Sequence, residues 1–347
     1  ALKDYRKILA KRPGVPEVLL LASTAALELG QPAAAVGLAR QAVRARRDGP
    51  AQLTLGRALL AQDEPAAARE HLAAAGGDPR VAADAIFLLG QCCSRLGDLP
   101  AAIEAYTSVV GANPQHVAAW LALGRHLSAT GQHSQALDAL GAARSMQPGD
   151  AGIAAAHGAA ALAAGRYDEA REAAECAAAV DPRAPVVLRL RGRLEKAAGR
   201  LDAALSAWEE LARLAPEDAD AWGGVAEVRQ ALGRLDAAGE AWGRALALAP
   251  EDPGLRAGRA EWLEWQGRYQ EGLDTLDGLT DDPAVVLTRG RLLRRLGRPD
   301  EAYAALSALD LESLDASLRR AASFSLGDSA DALGRYEAAF EHYRRGN

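Results

Sequence analysis

The sequence predicts an all-α solenoid of antiparallel helix pairs, on three observations. A short phrase, fullest at Gly165-Arg166-Tyr167-Asp168-Glu169-Ala170, returns with its turn residue at Gly30, Asp63, Gly97, Gly131, Gly165, Gly199, Gly233, Gly267, Gly297 and Gly334. These turns lie 33 or 34 residues apart as far as Gly267, then 30 and 37 apart. Self-similarity at such a period is the signature of a repeat architecture. Between turns, apolar residues fall at three- and four-residue spacing, as in Leu205, Trp208, Leu211 and Ala212, the pattern of a helix buried along one face. Alanine, the strongest helix former, is abundant throughout.

Each element follows from an anchor. The turn glycine adopts left-handed backbone and closes the first helix of a pair. Seven residues before it stands a second glycine, at Gly56, Gly90, Gly124, Gly158, Gly192, Gly290 and Gly327, and five residues after it an alanine, from Ala35 and Ala68 to Ala302 and Ala339. Both are small, so the two helices can cross closely. Twelve residues beyond the alanine a proline recurs, at Pro13, Pro114, Pro148, Pro182, Pro216 and Pro250; lacking an N–H, it ends the second helix. Eleven residues before the turn, Trp120 and Trp222 mark an aromatic position.

With these anchors the chain resembles the tetratricopeptide repeat family over essentially its whole length. The resemblance implies a right-handed superhelical solenoid with the first helix of every repeat on the concave side. Residues 1–13 fit the second helix of a truncated leading repeat. Repeats are then expected at 16–48, 49–82, 83–116, 117–150, 151–184, 185–218, 219–252, 253–282, 283–319 and 320–347. The eighth is four residues short, and the tenth is uncapped. Solenoids need polar end caps, so more polypeptide is expected to follow the last helix.

Composition narrows the function. A net charge of −6 argues against general nucleic-acid binding. No apolar run approaches the ~20 residues of a membrane span, and no secretion signal is visible; a cytoplasmic protein is expected. Lysine occurs only at Lys3, Lys7, Lys11 and Lys196, which reads as the arginine bias of a bacterial coding sequence. Cys92, Cys93 and Cys176 are read as reduced thiols. No two histidines stand at i+3 or i+4, so no metal site is expected.

The end of the chain carries a narrower resemblance. Ala339-Phe340-Glu341-His342-Tyr343-Arg344-Arg345-Gly346-Asn347 looks like the junction repeat of bacterial tetratricopeptide-repeat sulfotransferases. That resemblance implies a following catalytic domain that uses 3′-phosphoadenosine 5′-phosphosulfate and modifies a hydroxyl acceptor. It hands no catalytic residue to this chain: no Gly/Ser/Thr-rich phosphate loop follows a strand here, and no cofactor is expected within it. The expected role is a protein- or peptide-binding module, the acceptor-recognition part of such an enzyme. The alternative is a non-enzymatic scaffold that assembles several partners.

Binding is expected in the concave groove. The residue six before each turn reads Thr24, Arg57, Gln91, Arg125, Ala159, Arg193, Glu227, Glu261, Arg291 and Asp328. Neighbouring groove positions add Phe87, Arg95, Arg189, Lys196, Glu264 and Arg294. The stripe is basic from Arg57 to Lys196, acidic at Glu227, Glu261 and Glu264, basic at Arg291, Arg294 and Arg295, and acidic again at Asp328 and Asp331. Two readings stay open. Neighbouring repeats pair their charges, for example Arg193 with Glu227; or a basic groove holds an extended acidic peptide through arginine forks. Gly223, Gly224, Gly254, Ala257 and Gly258 replace bulky residues in the seventh and eighth repeats. They open space or allow close approach near Trp222, Trp262 and Trp265. Leu121, Ala155 and Gly223 stand where chaperone-binding repeats of this family carry lysine and asparagine, which argues against that role.

Overall fold

The computed structural model describes residues 1–279, 282–314 and 316–347. Among them the chain is helical, with no strand, and divides into two compact units, Ala1–Val180 and Asp181–Asn347. In the first unit a leading helix, α1 (Leu2–Lys11), precedes five pairs. These are α2 (Pro16–Glu28) with α3 (Pro32–Ala45), α4 (Gly49–Ala61) with α5 (Pro65–Ala75), α6 (Ala82–Arg95) with α7 (Leu99–Ala112), α8 (Val117–Ala129) with α9 (His133–Met146), and α10 (Ala151–Ala163) with α11 (Tyr167–Val180). The second unit contains α12 (Pro185–Ala197) with α13 (Leu201–Leu214), α14 (Ala219–Ala231) with α15 (Leu235–Leu248), α16 (Pro253–Trp265) with α17 (Tyr269–Thr275), α18 (Pro283–Arg295) with α19 (Pro299–Ser307), and α20 (Ala316–Ala332) with α21 (Tyr336–Gly346). A 3₁₀ turn, Leu311–Ser313, precedes α20. The limits expected for the eighth and ninth repeats run through 280–281 and 315, which lie outside the described residues.

Local chemistry sets the helix ends. Asp48, Asp98, Asp150, Asp218, Asp252 and Asp282 accept backbone N–H bonds at the starts of α4, α7, α10, α14, α16 and α18. The turn glycines adopt φ between 66° and 77°, and Asp63 adopts 61° in the same place. Aspartate is among the few residues that tolerate this region.

Packing explains the second glycine. It seats the side chain sixteen residues later on the partner helix: Gly56 under Leu72, Gly90 under Tyr106, Gly124 under Leu140, Gly192 under Trp208, Gly290 under Leu306 and Gly327 under Tyr343. A Cβ on Gly90 would stand 2.7 Å from the Tyr106 ring, and one on Gly192 2.6 Å from Trp208. Where Ser23 takes this position, its hydroxyl donates to the Ala35 carbonyl at 2.9 Å.

The second unit extends the device with tryptophan. Trp208 is held between Gly192 and Gly224, Trp242 lies on Gly258, and Trp262 lies on Gly239. Close approach is therefore the purpose of Gly224 and Gly258. The residues missing from the eighth repeat are lost from its second helix: α17 has seven residues where α13 has fourteen. Arg256 replaces the lost helical bonds, donating to the Thr275 and Asp277 carbonyls at 2.7 and 2.6 Å, and Arg289 donates to Leu279 at 3.0 Å.

Successive first helices approach one another: α2 with α4 with α6, and α8 with α10, in one unit; α12, α14, α16, α18 and α20 in the other. Second helices pack on their own partner and on the next first helix. First helices thus form the inner layer of each unit.

Candidate functional site

In the first unit the inner layer presents two bare cations. Arg57 on α4 and Arg125 on α8 are exposed and make no ion pair or hydrogen bond among the described residues. Both occupy the same register, two repeats apart, with half-buried Gln91 of α6 at the register between them. Two other predicted groove residues serve the scaffold. Arg95 donates to the Leu60 carbonyl at 2.8 Å and lies 3.4 Å from Asp63, tying α6 to the end of α4. The Phe87 ring stands 4.8 Å from His116 and 5.7 Å from Tyr106, within the packing of α6 on its neighbours. A further tie was not foreseen from the sequence. His126 Nδ1 bonds the Ala122 carbonyl at 2.7 Å, which places the proton there, so Nε2 accepts from the Ser94 hydroxyl at 2.7 Å.

In the second unit most predicted groove charges are already paired. Lys196 meets Glu227 at 2.5 Å; Arg189 meets Asp218, and Asp220 at 3.2 Å. Arg291 holds Glu261 at 2.7 Å and Glu264 at 3.2 Å; Arg295 adds Glu264 at 3.8 Å, and Arg294 pairs with Asp328. Burial works against the Arg291 charge, yet Glu261 and Glu264 outweigh it and raise its pKa. The expected pairing of Arg193 with Glu227 is not formed. Lys196, one helical turn further along α12, reaches that carboxylate instead, and Arg193 stays exposed without an ion pair among the described residues.

The small residues of α14 and α16 do leave a hollow, of about 520 Å³, floored by Gly223, Gly224, Gly254 and Leu255 with Trp208 beneath and Arg193 and Asp220 beside it. Trp222, Trp262 and Trp265 do not line it. Trp262 is buried, donating to the Leu235 carbonyl at 2.9 Å; Trp265 is 71% exposed; Trp222 lies under the Arg244 guanidinium at 4.6 Å.

Elsewhere, burial pushes the Cys92 thiol up to about 11 and raises that of Cys93, so both stay protonated. Cys176 is half-buried, 3.3 Å from Arg144. His157 is buried, its Nε2 3.5 Å from Glu169, and burial lowers its pKa. Among the described residues no group of three His, Cys, Asp or Glu could hold a metal ion, and no helix is long and apolar enough to cross a membrane.

Comparison with known proteins agrees with this architecture. A tetratricopeptide repeat family model matches residues 1–50, 53–117, 189–255 and 287–346, and a second model of that description matches 95–160. No curated protein matches the chain in sequence. Among solved structures, the human IFIT1 dimer with m7Gppp-AAAA is similar, with a TM-score of 0.60 at 12% identity, over 96% of this chain and 90% of that one. The APC/C hetero-tetramer Cut9–Hcn1 is similar with a TM-score of 0.55 at 14% identity, over 100% of this chain and 83% of that one. At such identities the likeness is one of fold. With the family models covering well over half its length, the chain belongs to the tetratricopeptide repeat family.

Proposed function

We propose that the protein is a recognition module whose first unit holds an extended acidic peptide or protein segment against its inner layer. The observation that carries this reading is the pair Arg57 and Arg125, bare guanidinium groups in one register on a layer whose neighbouring polar groups are tied to the scaffold. Arginine presents a planar fork suited to carboxylates. Gln91 between them offers both a donor and an acceptor to a peptide backbone. In the second unit Arg193, beside the glycine-floored hollow, is a further bare cation for the same chemistry. The test is a panel of acidic, neutral and basic peptides followed by fluorescence anisotropy. Acidic peptides should bind at least about tenfold more tightly, with affinity falling as salt rises. Equal binding of all three classes would sink the reading.

A finer reading rests on the phrase from Ala339 to Asn347: the module selects the acceptor for a sulfotransferase of the bacterial tetratricopeptide-repeat kind. The donor would be 3′-phosphoadenosine 5′-phosphosulfate and the catalytic residues would lie in another domain. In that phrase Tyr343 is seated on Gly327 and donates to Asp328 at 2.9 Å, while Phe340 is 67% exposed. Full-length gene product given the labelled donor should transfer sulfate to an acidic acceptor peptide. Binding without transfer would favour the scaffold that assembles partners.

A further inference from the structure

The last two pairs of the second unit border a cavity of about 650 Å³ that opens to solvent on one side, within the size range of small-molecule sites. Two departures from the repeat open it. Helix α19 stops at Ser307 after nine residues, where α13 and α15 run to fourteen. A turn of side chains is therefore missing, and the chain continues through Leu309 and the 3₁₀ turn. The position eleven residues before the turn, filled by Trp120 and Trp222 in other repeats, is Ser323 here. Serine is much the smaller side chain at that position.

The lining has two characters. Leu306, Leu309, Leu311 and Leu326 supply an apolar wall. Ser323 and Arg319 of α20, with His342 and Arg345 of α21, supply polar groups. Ser323 is 1% exposed, and its Oγ has no hydrogen-bond partner. Arg319 Nε and His342 Nδ1 are buried and equally unpartnered. Arg319 Nη2 donates to the Leu314 carbonyl at 3.1 Å, and His342 Nε2 lies 3.2 Å from the Tyr303 hydroxyl. Burial, reinforced by Arg345, lowers the His342 pKa, so the ring acts as a neutral hydrogen-bond partner. Buried polar atoms are nearly always satisfied in folded proteins. Several unpartnered ones on one apolar-walled cavity make the composition of a ligand pocket.

The chemistry of the lining selects the ligand. Two guanidinium groups and a hydroxyl favour an anion, and the arginine fork fits a carboxylate. Four leucines favour an alkyl or aryl body. Glu312, exposed on the 3₁₀ turn, repels an anion from that side, which directs the headgroup toward α20 and α21. We propose that this cavity binds a small carboxylic acid with an apolar body of medium length, independently of peptide recognition in the first unit.

The test is isothermal titration of the full chain with octanoate, octanol and acetate. Octanoate should bind, and octanol and acetate should each bind at least about tenfold more weakly, because one lacks the charge and the other the apolar body. Arg345→Gln, at an exposed position, should weaken octanoate by about fivefold or more, and Ser323→Leu should abolish its binding by filling the cavity. Should Ser323→Leu fail to fold, Leu311→Trp narrows the cavity from its opposite wall and should have the same effect. Failure of octanoate to bind, equal binding of octanol, or full affinity in Arg345→Gln would each overturn the proposal.

Discussion

The two units use the same repeat register for different ends. In residues 1–180 the cations Arg57 and Arg125 stand bare on the inner layer. In residues 181–347 the corresponding layer is stapled from repeat to repeat by Lys196–Glu227, Arg291–Glu261–Glu264 and Arg294–Asp328. The packing beneath differs as well. The first unit seats Leu72, Tyr106 and Leu140 on its glycines; the second seats Leu306 and Tyr343 in the same way and adds Trp208, Trp242 and Trp262. A position that one repeat uses to hold its neighbour is free in another to meet a ligand. What decides is whether the neighbour supplies the opposite charge.

The largest expected effect breaks the packing half of that contrast. In Gly192→Ala the new Cβ would lie 2.6 Å from a Trp208 ring already held on its other side by Gly224. Overpacking of this kind costs about 1–3 kcal/mol, and a urea unfolding midpoint lowered accordingly would confirm the clamp. Next in size is the charge half. Arg291→Ala leaves Glu264, only 15% exposed, without its closer partner. The expected loss is about 1–2 kcal/mol, above an ordinary surface pair because one guanidinium serves two carboxylates. Arg125→Ala should change stability by less than about 0.5 kcal/mol. Equal losses from the two changes would erase the distinction between staple and free cation.

A smaller effect comes from pH. His71 and His157 of the first unit have lowered pKa values, chiefly because burial disfavours the charged ring. A depressed histidine contributes fully to stability above its unfolded value, near 6.5, and that contribution is lost as pH falls toward the folded value. Stability should therefore decrease between pH 7 and 5, and His157→Gln should flatten the decline measured by urea titration.

The fold was legible because its determinants are local and repeated. Turn glycines, the glycine seven residues earlier and the alanine five residues later each act within one pair of helices, so their spacing alone exposes them. Even Asp63 could be placed by the period, and its φ of 61° matches its glycine counterparts. The charge partners were less legible. Pairing by equal register does join Arg291 to Glu261 but fails for Arg193 and Glu227, because Lys196–Glu227, Glu264–Arg291 and Arg294–Asp328 instead join the position three before one turn to the position six before the next. That offset of one helical turn is set by how successive first helices pack, which no single repeat contains. The cavity beside Ser323 was hidden for a related reason. The wide step from Gly297 to Gly334 signals extra chain, but only the early end of α19 at Ser307 shows that the extra residues leave space.

The central claim is that bare cations of the first unit recognise a ligand while paired cations of the second hold the scaffold. It is tested most directly by measuring the affinity of one acidic peptide for two charge-reversed proteins, Arg57→Glu with Arg125→Glu, and Arg291→Glu with Arg294→Glu, alongside their unfolding midpoints. The first pair should lower affinity by about tenfold or more with little change in midpoint, and the second should lower the midpoint and leave affinity within about twofold. Unchanged affinity in the first protein, or a tenfold loss in the second at an unchanged midpoint, would contradict the account.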